Sequence, residues 1–207
     1  MLHLVTHRNR DAHVGLLSAM HRDRKRVFVD LMRWDLPHHD GEEKDDFDDD
    51  RAEYLILEGD RSGEHIASLR LLPTTDPHLL DTTFARLCEE PVPRGADVRE
   101  ITRLCLPFRR RLPERIAARN ILARGIVDFG LLTGVSSYTA VCNMGFLSEL
   151  LSAGWRCRPL GLPQTVAGEL AGALQIFIDP HTLDLLSLNW RCDPSGPRVI
   201  AFDSVAA

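Results

Sequence analysis

Arg70 interrupts an otherwise apolar run, SLRLLP at residues 68–73. A strand of this composition is expected to be buried, and a buried guanidinium is costly unless an acid is paired with it. A second strand-like run, EITRLCLP, carries Glu100 and Arg103 among Ile101, Leu104 and Leu106. A fold that buries both runs has to join their isolated charges in a shared ionic network.

The surrounding pattern fixes what kind of fold that is. Leu16, Leu17, Met20, Arg24, Val27, Phe28 and Leu31 recur at three- and four-residue spacing, which predicts that the first thirty-odd residues are helical. AEYLILEG and EHIASLRLLP read as a hairpin joined by DRSG, and LLDTTFARLCEE as a short helix. PERIAARNILARGIVDFGLLTG predicts a strong amphipathic helix, with proline near its start and glycine past its end. The strand SSYTAVCN, the helix GFLSELLSAG, the strands WRCRPLG and ELAGALQIFI and the helix HTLDLLSLNW follow, and the tail from about Arg191 pairs late or stays loose. This order predicts one domain over 1–207, a mixed sheet with helices on both faces. No G-x-G-x-x-G follows a strand, which speaks against a dinucleotide site.

With 44% hydrophobic and 27% charged residues, the chain is an ordinary globular one. No apolar run reaches the length of a membrane span, and the N-terminus lacks the apolar stretch of a signal peptide. Cys88, Cys105, Cys142, Cys157 and Cys192 are odd in number with no C-x-x-C spacing, which argues against a disulfide framework or zinc site and for a reducing cytoplasm.

The net charge of −5 is unevenly spread: residues 40–53 hold nine acids and two bases, and residues 94–124 nine arginines and three acids. The acidic run, DDFDDD at 45–50, fails as a calcium loop. Asp46, Asp48 and Asp50 fit positions one, three and five, but Arg51 and Leu57 stand where glycine and glutamate are needed. His38 and His39 beside Asp40 read as a solvated loop, so no metal is expected. A solvated surface loop and a grip on an organic cation both remain open for the run. Phe47 would anchor it, and in a helical turn Asp45 and Asp48 would share a side. Arg24, Phe28 and Trp34 place a cation and two rings shortly before it. With a negative net charge and only Phe108 among the arginines, nucleic acid is not the expected partner.

R-x-x-x-F at Arg24 and Phe28, Trp34, D-x-x-D at Asp45 and Asp48, SLRLLPTT with Arg70, Phe84, E-x-x-R at Glu100 and Arg103, and LLSAGW at 150–155 occur in this order. The ordered set resembles the acyl-homoserine-lactone synthase family, the quorum-sensing autoinducer synthases, over roughly residues 20–160. The resemblance implies an α/β fold similar to N-acetyltransferases: a three-layer α-β-α sandwich whose mixed, twisted sheet splays into a V-shaped cleft. It implies N-acylation of S-adenosylmethionine by an acyl thioester, on acyl carrier protein more often than on coenzyme A. Lactonisation then releases methylthioadenosine. S-adenosylmethionine is a substrate, and no cofactor is implied.

The same resemblance assigns roles. Arg24, Phe28, Trp34, Asp45 and Asp48 bind S-adenosylmethionine, with Asp45 and Asp48 on its cationic parts. Asp46, Asp49 and Asp50 are left solvated. Glu100 is the base, backbone N–H groups near Thr102 and Arg103 hold the oxyanion, and Arg70 and Phe84 belong to the network shaping the cleft. Leu122, Ile126, Val141, Met144, Phe146, Leu150 and Trp155 wall the acyl pocket. Thr139 is the only threonine near the strand position where relatives with 3-oxo preference carry one. Arg109, Arg110, Arg111, Arg115 and Arg119 face the acidic carrier protein. Two other readings remain: a plain acyl-CoA N-acyltransferase, disfavoured because RRRLPERIAARN lacks the glycines of a pyrophosphate loop, and a non-catalytic S-adenosylmethionine-binding or regulatory relative.

Overall fold

The computed structural model describes residues 1–189 and 200–201. Apart from Ile200–Ala201, the tail from Arg191 and its Cys192 lie outside the described residues. The chain divides into two compact units. The first comprises Met1–Leu71 and Arg103–Ile126 with the end of the chain, the second Leu72–Thr102 and the segment from Val127.

In the first unit the chain opens on a strand, β1 (Leu2–Val5), where a helix was expected. A 3₁₀ turn (Arg10–His13) leads into α1 (Val14–Arg24), which continues as a wider π-helical stretch over Lys25–Leu31. Two short strands, β2 (His38–His39) and β3 (Glu42–Glu43), pair antiparallel around Asp40 and Gly41, both at positive φ. β4 (Glu53–Glu58) and β5 (His65–Pro73) form the predicted hairpin. β1 pairs with β4 on its other side. Tyr54, Leu55, Ile56 and Leu57 are buried in succession, so β4 is covered on both faces.

The second unit holds α2 (Leu79–Thr82), a 3₁₀ turn at Ala85–Leu87 and most of β6 (Val98–Cys105). α3 (Leu112–Thr133) begins in the first unit and ends in the second, at Gly134 with φ +76°. Its second half, 122–130, is buried all round, so the amphipathic reading fits only its first half. Gly125 is needed for close approach: a Cβ there would lie 2.5 Å from Leu2 Cδ2. β7 (Ser137–Asn143), α4 (Met144–Ser152), β8 (Cys157–Pro159), β9 (Gln164–Val166), β10 (Glu169–Phe177) and α5 (Thr182–Asn189) follow. β6 runs parallel to β7, whereas β10 is antiparallel to β7, β8 and β9. The last strand, β11 (Ile200–Ala201), runs parallel to β1 in the first unit. Parallel and antiparallel pairs with helices between them make the mixed α/β class expected from sequence. Among the described residues no helix is long and apolar enough to cross a membrane.

Candidate active site

In the first unit the isolated charges of the sequence meet. Arg24, fully buried on α1, places Nε 2.6 Å from Glu43 and grips Asp48 with both Nη atoms at 2.7 and 2.8 Å. Arg70 Nη1 lies 2.5 Å from Asp45 and 2.9 Å from Asp48. Arg103 reaches Asp45 at 2.6 Å and Glu43 at 3.1 Å. The Tyr54 hydroxyl donates to Asp48 at 2.8 Å. Three guanidinium groups thus face three carboxylates, and burial makes each pairing obligatory.

The acidic run is a tight turn. Asp48 N–H donates to the Asp45 carbonyl, Phe47 N–H to the Asp45 carboxylate and Asp45 N–H to the Asp48 carboxylate, all at 2.9 Å. Asp45 and Asp48 therefore share a side, as a helical turn requires. Their carboxylates are engaged by arginines rather than standing ready for an added cation. Asp49 is salt-bridged to Arg51 and Asp50 to Arg10, while Asp46 is exposed.

Glu43 was missed by sequence reasoning. Its signal was present: Asp40–Gly41 is a tight-hairpin dipeptide, and the hairpin carries Glu43 inward. Sequence reasoning set Arg70, Glu100 and Arg103 in one shared network. The carboxylates found on Arg70 and Arg103 include Glu43, Asp45 and Asp48.

Electrostatics follows the geometry. Burial alone would raise the Asp48 carboxyl, but hydrogen bonds and charge from Arg24, with the charge of Arg70, hold it far below the usual range. Burial, aided by the Arg24 charge, pushes His21 down to about 4, so it is neutral beside Tyr54 and the Glu43 carbonyl.

Phe28 lies in the π-helical stretch, where Met32 N–H bonds to the Val27 carbonyl five residues back. Arg33, at φ +60°, reverses the chain, and Trp34 N–H then donates to the Phe28 carbonyl at 2.9 Å. The two rings stack with centroids 5.2 Å apart and planes within 7°. Phe28 is buried and the Arg103 guanidinium lies 5.8 Å from its ring centre, whereas Trp34 is only half-buried.

In the second unit Glu100, 1% exposed, accepts a hydrogen bond from Leu79 N–H at 2.8 Å. It aligns with Thr139 on the parallel strand β7, and this ladder ends at Ile101 opposite Ala140. Arg103, two residues on, takes the left-handed φ of +51° within β6. A side-chain-bearing residue adopts that conformation only when its surroundings enforce it, and here two carboxylates do.

Phe84, assigned to the ionic network, packs instead with Val141 against a buried apolar cluster of Leu80, Leu87, Leu160 and Ala173. Of the predicted acyl-pocket residues in this unit, Leu150 and Trp155 are buried and Met144 and Phe146 half-buried. Leu122 and Ile126, in the first unit, are buried on α3.

The predicted carrier-protein arginines differ among themselves. Arg109 is salt-bridged to buried Asp23 and donates to the His65 carbonyl at 2.5 Å. Arg110 is salt-bridged to Glu64. Arg115 covers the Phe108 ring at 4.1 Å, and Arg119 bonds to the neighbouring Asn120. Arg111 pairs with Glu114 at 3.2 Å, and its side chain is 87% exposed. Arg109 and Arg110 are thus both engaged by acids within the chain. No cluster of histidine, cysteine and acidic groups with metal-binding geometry occurs among the described residues.

The profile of one protein family, "Autoinducer synthase", matches residues 8–184. The chain belongs to this family. The acyl-homoserine-lactone synthase of Agrobacterium fabrum is 31% identical over 162 residues, 76% of each chain. The isovaleryl-homoserine lactone synthase of Bradyrhizobium diazoefficiens is 30% identical over 189 residues, 89% of this chain and 83% of the relative. Among solved structures, the CoA-dependent acyl-homoserine lactone synthase BjaI, with SAM and isopentyl-CoA, matches with a TM-score of 0.88 at 27% identity, covering 100% of this chain and 95% of that one. An acyl-CoA N-acyltransferase from Pseudomonas aeruginosa shares the fold alone, at TM-score 0.59 and 15% identity. This autoinducer synthase is therefore an acyltransferase of the acyl-homoserine-lactone synthase kind, on an N-acetyltransferase-like fold.

Proposed function

We propose that the chain makes an N-acyl-L-homoserine lactone from S-adenosylmethionine and an acyl thioester, with no cofactor. The α-amine attacks the thioester carbon: a C–N bond forms, the C–S bond breaks, and the thiol leaves with a proton. The carboxylate then attacks the γ-carbon, the bond to the sulfonium sulfur breaks, and neutral methylthioadenosine departs. Ring closure is intramolecular, so a folded chain lowers its entropic cost.

The observation that carries this reading is the Glu100 carboxylate, buried and oriented by Leu79 N–H. An α-amine of pKa about 8 is largely protonated at neutral pH, and a fixed base removes that proton. Peptide N–H groups near Thr102 and Arg103, where β6 leaves its regular conformation, serve the tetrahedral oxyanion. Trp34, stacked on Phe28, offers a ring face to the adenosyl group. Asp45 and Asp48 act indirectly, through the network that holds Arg24, Arg70 and Arg103. Val141, Met144 and Phe146 border the acyl chain.

Two observations favour coenzyme A over acyl carrier protein as the donor's carrier. BjaI is CoA-dependent, and Arg109 and Arg110 are engaged within the chain. The four thiols free among the described residues suit a cytoplasmic enzyme. The test is mass spectrometry after incubation with S-adenosylmethionine and a panel of acyl-CoA and acyl-carrier-protein thioesters. Acyl-homoserine lactone and methylthioadenosine should appear together. Acylation without methylthioadenosine would mark a plain N-acyltransferase, and no product with any donor a binding protein.

A further inference from the structure

Two residues that adjoin Glu100, Thr139 across the β6–β7 ladder and His78 beside Leu79, each carry a buried polar atom with no hydrogen-bond partner among the described residues: Thr139 Oγ1 and His78 Nε2. Both residues are 0% exposed. A buried donor or acceptor left unsatisfied costs roughly 1–3 kcal/mol, so two such atoms in residues adjoining one carboxylate call for a common explanation.

Their placement supplies it. Thr139 on β7 is the in-register neighbour of Glu100 on β6, so both side chains project from the same face. Val141, two residues on, shares that face and packs on the cluster that contains Leu80 of α2. His78 immediately precedes Leu79, whose N–H holds Glu100 at 2.8 Å. The start of α2 is itself clamped: His78 N–H donates to Asp81 at 2.8 Å, and the Thr82 hydroxyl donates to the His78 carbonyl at 2.6 Å. His78 Nδ1 is taken up locally, 2.9 Å from the Asp76 carbonyl, which leaves Nε2 as the ring's remaining polar atom. His78 and Thr139 thus flank Glu100, one at the start of α2 and one on β7.

We propose that His78 Nε2 and Thr139 Oγ1 hold one water against the Glu100 carboxylate, making both of them positioning residues for the proton transfer. A polar site with two to four partners is what a buried water needs. Glu100, at 1% exposure, is too enclosed to meet a bulky amine directly, and the water gives it reach. One proton leaves the substrate nitrogen for the water, and the water passes one to Glu100. The water is regenerated, the substrate nitrogen loses its positive charge and the carboxylate loses its negative one. This rests on the synthase reading above and extends it to two residues outside the E-x-x-R pair.

Thr139→Val tests the idea because it exchanges only a hydroxyl for a methyl group. A hydroxyl that merely lacked a partner would be better replaced by methyl: melting temperature would hold or rise, and turnover would not change. A water-holding hydroxyl predicts a fall in kcat of about tenfold or more, with KM for both substrates within about twofold. Thr139→Ser should recover most of the rate. His78→Gln, whose amide can reach the Nε2 position, should outperform His78→Leu. Should Thr139→Val fold poorly, the serine variant and the His78 pair decide: equal kcat in His78→Gln and His78→Leu overturns the proposal. Wild-type protein in the same assay separates the two levels. No product from wild type sinks the synthase reading, whereas product from wild type and Thr139→Val alike sinks only the relay.

Discussion

Arg103 Nη2 lies 2.6 Å from Asp45 Oδ2, a contact spanning 58 positions of the sequence, and Arg103 adopts a positive φ. The pairing and the backbone conformation depend on each other. Without Asp45 and Glu43 to hold the guanidinium, β6 would relax to ordinary strand geometry and the peptide groups at 102–103 would turn. Arg103→Lys keeps the charge but cannot bridge two carboxylates with a rigid fork. It should lower kcat by about ten- to a hundredfold, as expected when an oxyanion donor is misplaced, with a smaller loss of stability. Steady-state kinetics beside thermal melts would check this; a rate loss no larger than the stability loss explains would count against the coupling.

Glu43, like Asp45 and Asp48, is an acid on which two arginines converge, and it is the one that is 0% exposed. Glu43→Ala leaves Arg24 and Arg103 short of a buried partner, and removing one member of such a network costs about 3–5 kcal/mol. Chemical denaturation should show that loss as a lower midpoint, and Glu43→Gln should fall between the two.

These two residues mark how much of the chain was legible in advance. Arg70 and Arg103 announced a network because lone charges stand out in apolar strands, whereas Asp45 and Asp48 were assigned to the substrate's cation and are found on the arginines instead. Glu43 did not, because it sits inside the charged run 40–53, where one more acid carries no contrast. The hairpin, the long helix and the β7–α4 sequence were readable from period and punctuation. β1 was not: LHLV is only four residues long, followed by polar residues that read equally well as a helix start. Phe84 was misplaced because a single aromatic gives no hint whether it meets charges or, as here, Leu80 and Leu87.

Acid should weaken the fold in two stages. Burial, then the Arg24 charge, lowers the folded-state pKa of His21 to about 4, while in the unfolded chain it titrates near about 6.5. The unfolded state takes up the proton first, so stability is complete above pH 6.5 and falls as pH drops toward 4. That separation is worth at most about 3 kcal/mol. His65, also lowered mainly by burial, adds in the same direction. Asp48, depressed against its burial by Arg24 and Arg70, sets the second stage, below about pH 4. Melting temperatures of wild type and His21→Asn between pH 4 and 7.5 should diverge in slope, the variant being flatter. Parallel curves would show that His21 does not carry the first stage.

On the proposed reading, Trp34 serves substrate binding and not chemistry. Its ring is half-buried and stacked on Phe28. Trp34→Ala should raise KM for S-adenosylmethionine by about three- to tenfold, the worth of one aromatic contact. KM for the acyl donor and kcat should stay near wild type. Isothermal calorimetry with S-adenosylmethionine alone gives the same contrast without turnover. An unchanged affinity would move the adenosyl group away from this stack.

Arg109 and Arg111 share a segment but not a role. Arg109 pairs with buried Asp23, which also holds His65 at 2.8 Å and Arg26 at 3.1 Å, whereas Arg111 pairs with Glu114 at the surface. Arg109→Ala should therefore destabilise the fold by roughly 1–3 kcal/mol, since buried Asp23 loses one charged hydrogen-bond partner and keeps Arg26 and His65. Arg111→Glu should leave the melting temperature within about 1 °C, as surface pairs contribute little. Its effect on rate then reports on the donor. With acyl-CoA, kcat/KM should change by less than about threefold, because one rim charge alters encounter only modestly. A large, salt-sensitive loss confined to acyl carrier protein would show instead that a charged protein docks here, and the donor assignment would move to that carrier.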